Sequence, residues 1–220
     1  VLARVHALGV TLTEYLTAAL ILSINDLQMR EGLAPKRRLP VKINVPINLR
    51  RFYPTHTMRN FAIYVNPGID ARLGDYTFEE ILRAVHHHMG AEVEEKLLNA
   101  RFATNVRTEQ NRLLRAAPLF VKNIAMKLTF NRVGDRKTSS SISNLGVVRV
   151  PPEMERFVTR FDFILGPLSR NRVVCAALSY KDTLYLNFTR TIRETDVERG
   201  FFRFLVRDGL HVQIESNSLS

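Results

Sequence analysis

The sequence has no tryptophan, a single cysteine and no long apolar run, and the last two features restrict the class of protein. With Cys175 alone no intrachain disulfide can form, which favours a reducing compartment and predicts a cytoplasmic protein. The apolar run at residues 18–24 is interrupted by Ser23, and every apolar run of the sequence is far shorter than the ~18 residues of a membrane-spanning helix. We therefore expect no membrane span, and the first residues predict no signal peptide.

Several short enzyme motifs are also missing. No segment matches the nucleophile elbow Gly-x-Ser-x-Gly, a phosphate-binding loop or a dinucleotide fingerprint. The triplet His86-His87-His88 lies in a segment with helical spacing, where consecutive side chains point about 100° apart and cannot converge on one metal ion. His88 and Glu92 have the spacing of a helical ligand pair, but the sequence offers no third ligand. The triplet is interpreted as a partly exposed helix face, and no metal site is predicted.

The charge of the chain is strongly positive, with a formal net charge of +11 and a pI near 10.3. Such a chain attracts anionic partners over long distances. The basic residues are scattered, and Lys36-Arg37-Arg38 is the only run of three. Because no recognition motif with interleaved aromatic side chains accompanies them, nucleic acid is the less favoured partner. A basic nucleic-acid-binding module nevertheless stays open as an alternative.

Helix starts are marked by two capping boxes, Thr11 with Glu14 and Thr77 with Glu80. Each is followed by apolar residues at helical spacing, which predicts a helix with one buried stripe. Further helices are predicted over residues 2–7, 118–128 and 195–208.

Residues 41–47 alternate between apolar and other side chains, which predicts a strand with one buried face. Pro46 cannot donate to a strand ladder, so we expect it at a sheet edge or near the strand end. Further strands are predicted over residues 61–65, 138–143, 147–150, 161–165, 173–180, 184–190 and 211–214. Because strands and helices alternate, the predicted fold class is α/β, a mixed β-sheet covered by helices in one domain over residues 1–220.

The segment Ser143-Asn144-Leu145-Gly146 is the strongest candidate for chemistry. Gly146 permits a twist or bulge in the strand, and short polar side chains precede it. Donors beside such an irregularity are suited to stabilise an oxyanion during acyl transfer. The alternative is a purely structural turn. Ser141 is a second candidate hydroxyl in the same segment.

Two stretches of the chain resemble landmarks in the C-terminal half of the CoA-dependent acyltransferases. This superfamily includes chloramphenicol acetyltransferase, alcohol acetyltransferases, wax ester synthases and peptide-synthetase condensation domains. The first stretch is residues 45–50 with 57–61, and the second is residues 141–146. The resemblance covers nearly the whole chain and is strongest to bacterial alcohol acetyltransferase-like proteins. It implies a chloramphenicol acetyltransferase-like half, a two-layer sandwich of sheet and helices.

The resemblance also implies roles for particular residues. Ser143 and Asn144 match a segment that borders the acyl tunnel, where in some members a serine helps to hold the tetrahedral intermediate. Arg50, Arg59 and Asn60 match positions that line the substrate channel. For Arg50 two interpretations stay open, a bidentate contact to a substrate group or a salt bridge that fixes its loop.

The catalytic signature of this superfamily, His-His-x-x-x-Asp-Gly, lies in the N-terminal half and matches no segment here. The histidine triplet does not replace it, because Gly90-Ala91-Glu92 follows. The resemblance implies acyl-CoA or a carrier-protein thioester as donor, an alcohol or amine as acceptor, no permanently bound cofactor, and a missing N-terminal half as partner. We therefore expect the chain alone to be inactive; a non-catalytic assembly domain is a further alternative.

Overall fold

The computed structural model describes residues 1–58, 60–110, 118–133, 138–166 and 171–217. Its helices are α1 (Leu2–Ala7), α2 (Leu12–Arg30), α3 (Phe78–Glu92), α4 (Glu95–Gln110), α5 (Leu119–Val133) and α6 (Asp196–Arg207). Its strands are β1 (Val41–Asn48), β2 (Ala62–Val65), β3 (Gly68–Ile69), β4 (Ser140–Val148), β5 (Val173–Tyr180) and β6 (Thr183–Arg190).

The strands form one mixed sheet in the order β2-β1-β4-β5-β6, with β3 also paired to β1. Strands β1, β4 and β5 run parallel, whereas β2, β3 and β6 are antiparallel to their neighbours. The predicted class, an α/β fold with a mixed sheet and covering helices, is therefore confirmed.

Helices α2, α3 and α6 form the layer that covers one face of the sheet. Both predicted capping boxes are present: in the first, the Thr11 N–H donates to the Glu14 carboxylate at 2.6 Å. Helices α3 and α6 both pack against α2, which packs against β1. Val41, Ile43 and Val45 of β1 face this layer together with Ile142 and Cys175, and all five are buried. The Cys175 thiol is a core group, and burial raises its pKa.

A cluster of polar side chains joins the N-terminal and C-terminal parts of the described chain. The buried Tyr15 of α2 donates its hydroxyl to Asp208 at 2.6 Å, and Arg4 of α1 forms an ion pair with the same carboxylate at 2.7 Å. Asp208 directly follows α6. The contact therefore joins α1, α2 and the end of α6 through one carboxylate.

The opposite face of the sheet is covered differently. Strand β5 is buried on both faces, and the connection from β4 to β5 packs at its end. There, the Tyr180 hydroxyl donates to the Val158 carbonyl at 3.1 Å and its ring meets Phe161 edge-on at 5.0 Å. The predicted strand over residues 161–165 is wrong, because these residues pair with no other strand of the described chain. Their side chains nevertheless alternate in burial, as the sequence pattern does. The predicted strand at 211–214 is wrong for the same lack of pairing.

Strand β3 approaches β1 so closely that only glycine fits at position 68. A Cβ on Gly68 would overlap the Val41 carbonyl oxygen and would lie 2.8 Å from the Lys42 Cα. The short β3 pairing with β1 thus depends on this residue. None of the described helices is long and apolar enough to cross a membrane.

Candidate functional site

Strands β1 and β4 pair over only two positions, Ile43 with Ser140 and Asn44 with Ser141. The next even-numbered position on β1 is Pro46. Odd-numbered residues of β1 direct their N–H groups to the other side, since Ile43 donates to the Pro67 carbonyl at 2.9 Å. The N–H of a residue at position 46 would therefore point toward β4. Because proline has no N–H, this hydrogen bond to β4 cannot form.

The expectation for Pro46 is met in its second form. Strand β1 is not at a sheet edge, since β2 and β4 flank it, but Pro46 lies two residues before the strand ends at Asn48. It occupies the position where the pairing of β1 with β4 stops. Beyond this point the two strands are not joined by ladder hydrogen bonds, and this unpaired stretch of β1 and β4, which we call the β1–β4 opening, is the candidate site.

Ser143 lies on β4 just beyond the last pair with β1. Its side chain is partly exposed, and its hydroxyl makes no hydrogen bond within the described part of the chain. Ser141, the alternative hydroxyl, differs: it donates to the Asn44 carbonyl at 3.0 Å and is buried. Of the two serines, Ser143 alone therefore has a hydroxyl available to a ligand.

A second unbonded donor lies on the same face of the sheet. Ser143 is opposite Ala176 on β5, and Ala176 is opposite Asn187 on β6, so the three side chains share one face. The Asn187 Nδ2 is buried without a hydrogen-bond partner among the described residues. Two strand spacings separate the Cα atoms of Ser143 and Asn187 by roughly 10 Å. The sequence pattern carried no signal for this pairing.

Asn144 points to the other face of the sheet. Its amide nitrogen donates to the Thr13 hydroxyl at 3.1 Å, and its oxygen accepts from the Gly146 N–H at 2.9 Å. Gly146 has φ +85°, and the pairing of β4 with β5 shifts register between Asn144 and Val147. The expected bulge at Gly146 is therefore present.

This arrangement separates the two predicted oxyanion donors. Successive strand residues point to opposite faces, so Ser143 and Asn144 cannot both donate to one oxyanion on one face of the sheet. The Asn144 amide already holds the bulge and the start of α2. A catalytic role for either residue stays a prediction.

Two of the predicted channel residues, Arg50 and Asn60, lie on the loop after β1. Arg50 belongs to a short 3-10 turn, Leu49–Arg51, and its guanidinium donates to the Thr57 carbonyl at 3.0 Å. This bond closes the loop, and it is neither of the two contacts expected for Arg50. Asn60 is exposed near the end of the loop, and Arg59 lies outside the described residues. The channel roles of all three stay predictions.

An aromatic cluster joins this loop to α4. The Tyr53 ring stacks on Phe102 with centroids 6.1 Å apart, and Phe61 meets Phe102 edge-on at 5.6 Å. Beside it, an open cleft of about 470 Å³ lies between β2 and α4, lined by Ile63, Tyr64, Ala100, Arg101 and Thr104. Sequence reasoning missed this cleft, because the contact between α4 and β2 joins segments far apart in the chain.

The histidine triplet lies on α3 with its rings directed to different partners. His86 Nδ1 is 3.1 Å from Glu14 Oε1, and His88 Nε2 is 3.5 Å from Glu92 Oε1. Across the described ranges, no group of three His, Cys, Asp or Glu side chains is placed to hold a metal ion.

Comparison with known proteins returns distant structural neighbours. No protein-family model matches the chain, and no curated protein matches it either. The chain aligns with a wax ester synthase/diacylglycerol acyltransferase from Marinobacter aquaeolei VT8 at 15% identity and TM-score 0.49, covering 94% of this chain and 46% of that one. It aligns with the starter condensation domain of rhizomide synthetase RzmA at 10% identity and TM-score 0.44, covering 88% and 41%.

Both neighbours are of kinds that the sequence resemblance names. At these identities and at TM-scores below 0.5, the likeness establishes neither the family nor the activity nor the site residues of this chain. The chain also spans less than half the length of either neighbour.

Proposed function

We propose that the chain is the C-terminal half of an acyltransferase that moves an acyl group from a CoA or carrier-protein thioester to an alcohol or amine. In this proposal the β1–β4 opening forms one wall of the channel that holds the thioester. The observation that carries the proposal is the Ser143 hydroxyl, which is partly exposed and makes no hydrogen bond within the described part of the chain. The resemblance of residues 141–146 to the superfamily's tunnel segment supports the same position.

In the proposed reaction a histidine of the missing half removes the proton of the acceptor. The acceptor oxygen or nitrogen then attacks the thioester carbonyl, the C–S bond breaks, and the thiolate leaves and takes up a proton. As the carbonyl oxygen becomes negative, the Ser143 hydroxyl donates a hydrogen bond to it. A single donor of this kind changes kcat by roughly 10²–10³-fold in other enzymes.

The charge of the chain agrees with a phosphate-bearing donor. The formal net charge of +11 attracts CoA, whose phosphates are anionic, and also an acidic carrier protein. In this proposal Arg50 and Asn60 line the channel, and the bond from Arg50 to Thr57 holds their loop in place.

The first test concerns the missing base. The chain alone is expected to transfer no acyl group from acetyl-CoA to a simple alcohol or amine. The polypeptide encoded upstream of Val1 is expected to contain His-His-x-x-x-Asp-Gly. Thioester turnover by the 220-residue chain that disappears when one of its own six histidines is replaced would refute the proposal.

The second test concerns Ser143 in the protein that contains both halves. Ser143→Ala is expected to lower kcat by roughly 10²-fold, the low end of the range for a lost oxyanion donor, with little change in KM. Ser179→Ala is the matched control, because Ser179 lies on the neighbouring strand β5 and points to the opposite face. Equal kcat values for the two variants would remove Ser143 from the mechanism.

A nucleic-acid-binding module is the second candidate, and the net charge of +11 is the observation that favours it. Binding through phosphates weakens steeply as salt rises. A filter-binding titration with duplex DNA and single-stranded RNA at low and high salt tests it. Absence of binding at low salt would discard this candidate.

A further inference from the structure

Two asparagine side chains are neighbours on the face of the sheet opposite the helix layer. Strand β1 pairs with β2 and with β3 in one continuous register, and between these two ladders the Ile43 N–H donates to the Pro67 carbonyl. Asn44 therefore lies directly opposite Asn66. Opposite residues without ladder hydrogen bonds between them have Cα atoms about 4.5 Å apart, so the two amides lie side by side.

The two amides have no partner within the described part of the chain. The Asn66 Oδ1 is buried and accepts no hydrogen bond from those residues. The Asn44 side chain is partly exposed, and its amide makes no hydrogen bond there either. A buried acceptor without a partner favours a ligand that brings an N–H donor. Because each asparagine amide offers both donors and an acceptor, the group that complements the pair is another amide.

The asparagine pair lies beside the β1–β4 opening. Asn44 is opposite Ser141 on β4, and Ser143 follows two residues later on the same face. One strand spacing and two residues along the strand place the Cα atoms of Asn44 and Ser143 roughly 8 Å apart. In a pantetheine thioester, about four bonds, or about 5 Å, separate the thioester carbonyl from the first amide nitrogen. Side chains that converge from this separation can bind both groups of one ligand.

A cation lies further along the same face of β1. Lys42 precedes Asn44 by two residues, so the two side chains share a face, and that of Lys42 is exposed. Lys42 interacts electrostatically with Asp70, but that carboxylate is itself paired with Arg72 at 2.6 Å. From the level of Ser143 to that of Lys42 the strand runs roughly 13 Å, to which the lysine side chain adds its own reach. In 4′-phosphopantetheine, about 14 bonds, or roughly 16 Å, separate the thioester carbonyl from the phosphate.

We infer that this surface, formed by Lys42, Asn44, Asn66 and Ser143 and called here the arm face, binds the 4′-phosphopantetheine arm of the thioester. The asparagine pair binds the amide nearest the sulfur, Lys42 binds the phosphate, and the thioester carbonyl lies at Ser143. The order of these groups along β1 is their order along the arm. The inference rests on the proposed function for the thioester, and it adds that the thiol must carry an amide, which a simple thioester lacks.

The first experiment needs no substitution and no turnover. The full 220-residue chain is titrated with 4′-phosphopantetheine and with pantetheine, and binding is followed by proton–nitrogen NMR. We expect the side-chain amide signals of Asn44 and Asn66 to shift with both probes. CoA is titrated as well: binding tighter than that of the arm alone identifies free CoA as the source, whereas equal binding identifies the arm of a carrier protein. Asparagine signals that stay unchanged with all three probes would overturn the inference.

Three variants then assign the contacts. Asn44→Ala should weaken the binding of 4′-phosphopantetheine roughly three- to tenfold, the effect of one lost hydrogen bond. Asn123→Ala makes the same change at an exposed position on α5 and should leave the affinity unchanged. Lys42→Gln should weaken the binding of 4′-phosphopantetheine but not that of pantetheine, which has no phosphate. Circular dichroism verifies that each variant is folded. Equal affinities for Asn44→Ala and Asn123→Ala would overturn the inference.

A last measurement separates this inference from the proposed acyl transfer. In the protein that contains both halves, Asn44→Ala is expected to raise KM for the thioester while kcat stays nearly unchanged, whereas Ser143→Ala lowers kcat. Turnover with a KM that Asn44→Ala leaves unchanged would overturn the arm face and keep the acyl transfer. Arm binding that depends on Asn44, in a two-half protein without turnover, would do the reverse.

Discussion

Replacing Asn144 with alanine tests whether this residue stabilises the β4 bulge, as its contacts indicate, or acts only by binding a ligand. The amide makes one hydrogen bond to the Thr13 hydroxyl at 3.1 Å and one from the Gly146 N–H at 2.9 Å. Asn187, on the same sheet, has an amide nitrogen that is buried without a partner among the described residues. Asn187→Ala is therefore the natural control.

The expected magnitudes follow from these contacts. Each hydrogen bond contributes a net ~1 kcal/mol, so Asn144→Ala should lower the free energy of unfolding by about 2 kcal/mol. For a chain of this length, 1 kcal/mol shifts Tm by roughly 2–4 °C, which gives a fall of about 4–8 °C. Asn187→Ala removes an amide nitrogen that makes no hydrogen bond among the described residues, so the free energy of unfolding should change by no more than about 1 kcal/mol.

The measurement is urea unfolding followed by circular dichroism, with Tm as a second readout. Asn144→Asp provides an intermediate, since its carboxylate can still accept from the Gly146 N–H. We expect the order of stability to be wild type, then Asn144→Asp, then Asn144→Ala. Asn144→Ala and Asn187→Ala with equal stabilities, or Asn144→Ala as stable as wild type, would refute the structural role argued for Asn144.

Two further predictions concern the packing of the termini and of β3. The hydrogen bond from Arg4 lowers the pKa of Asp208 in the folded protein below its unfolded value of 3.8. The ionised carboxylate therefore stabilises the folded state above pH 3.8, and this stabilisation is lost as the pH falls through the folded pKa. Arg4→Gln should therefore lower Tm at neutral pH, by a difference that shrinks below pH 3.8; a difference independent of pH would contradict this. Gly68→Ala should cost about 1–3 kcal/mol in urea unfolding through its clash with β1. Gly90→Ala, with open space around it on α3, should instead be neutral or stabilising by up to ~1 kcal/mol; equal effects would contradict the crowding argued at Gly68.

The parts of the fold that depend on local pattern were predictable from sequence. The capping boxes at Thr11 and Thr77 begin α2 and α3, because both hydrogen bonds of a box lie within four residues. The alternation of apolar and other side chains in residues 41–47 correctly predicted β1, because one face of this strand is buried. Residues 161–165 alternate in the same way but form no strand, because alternation reports one-sided burial and not pairing.

The candidate site was predictable only in part. Gly146 indicated the bulge, since its freedom at positive φ is a property of the residue itself. Which face Ser143 and Asn144 occupy depends on the register of β4 with β5, and that register is set by side chains far apart in the chain. The unbonded amide of Asn187 and the cleft beside α4 depend on such distant contacts as well.

Pro46 shows how one residue connects these levels. Its missing N–H is evident in the sequence, but the consequence depends on which neighbour that N–H would have faced. Because Ile43 donates away from β4, the missing donor falls on the β4 side, and the ladder between β1 and β4 ends at Asn44 and Ser141. Ser143, one step further along that face of β4, has no neighbour on β1 to bond. The ladder between β1 and β4 thus ends beside the stretch of β4 in which the Ser143 hydroxyl makes no hydrogen bond within the described residues.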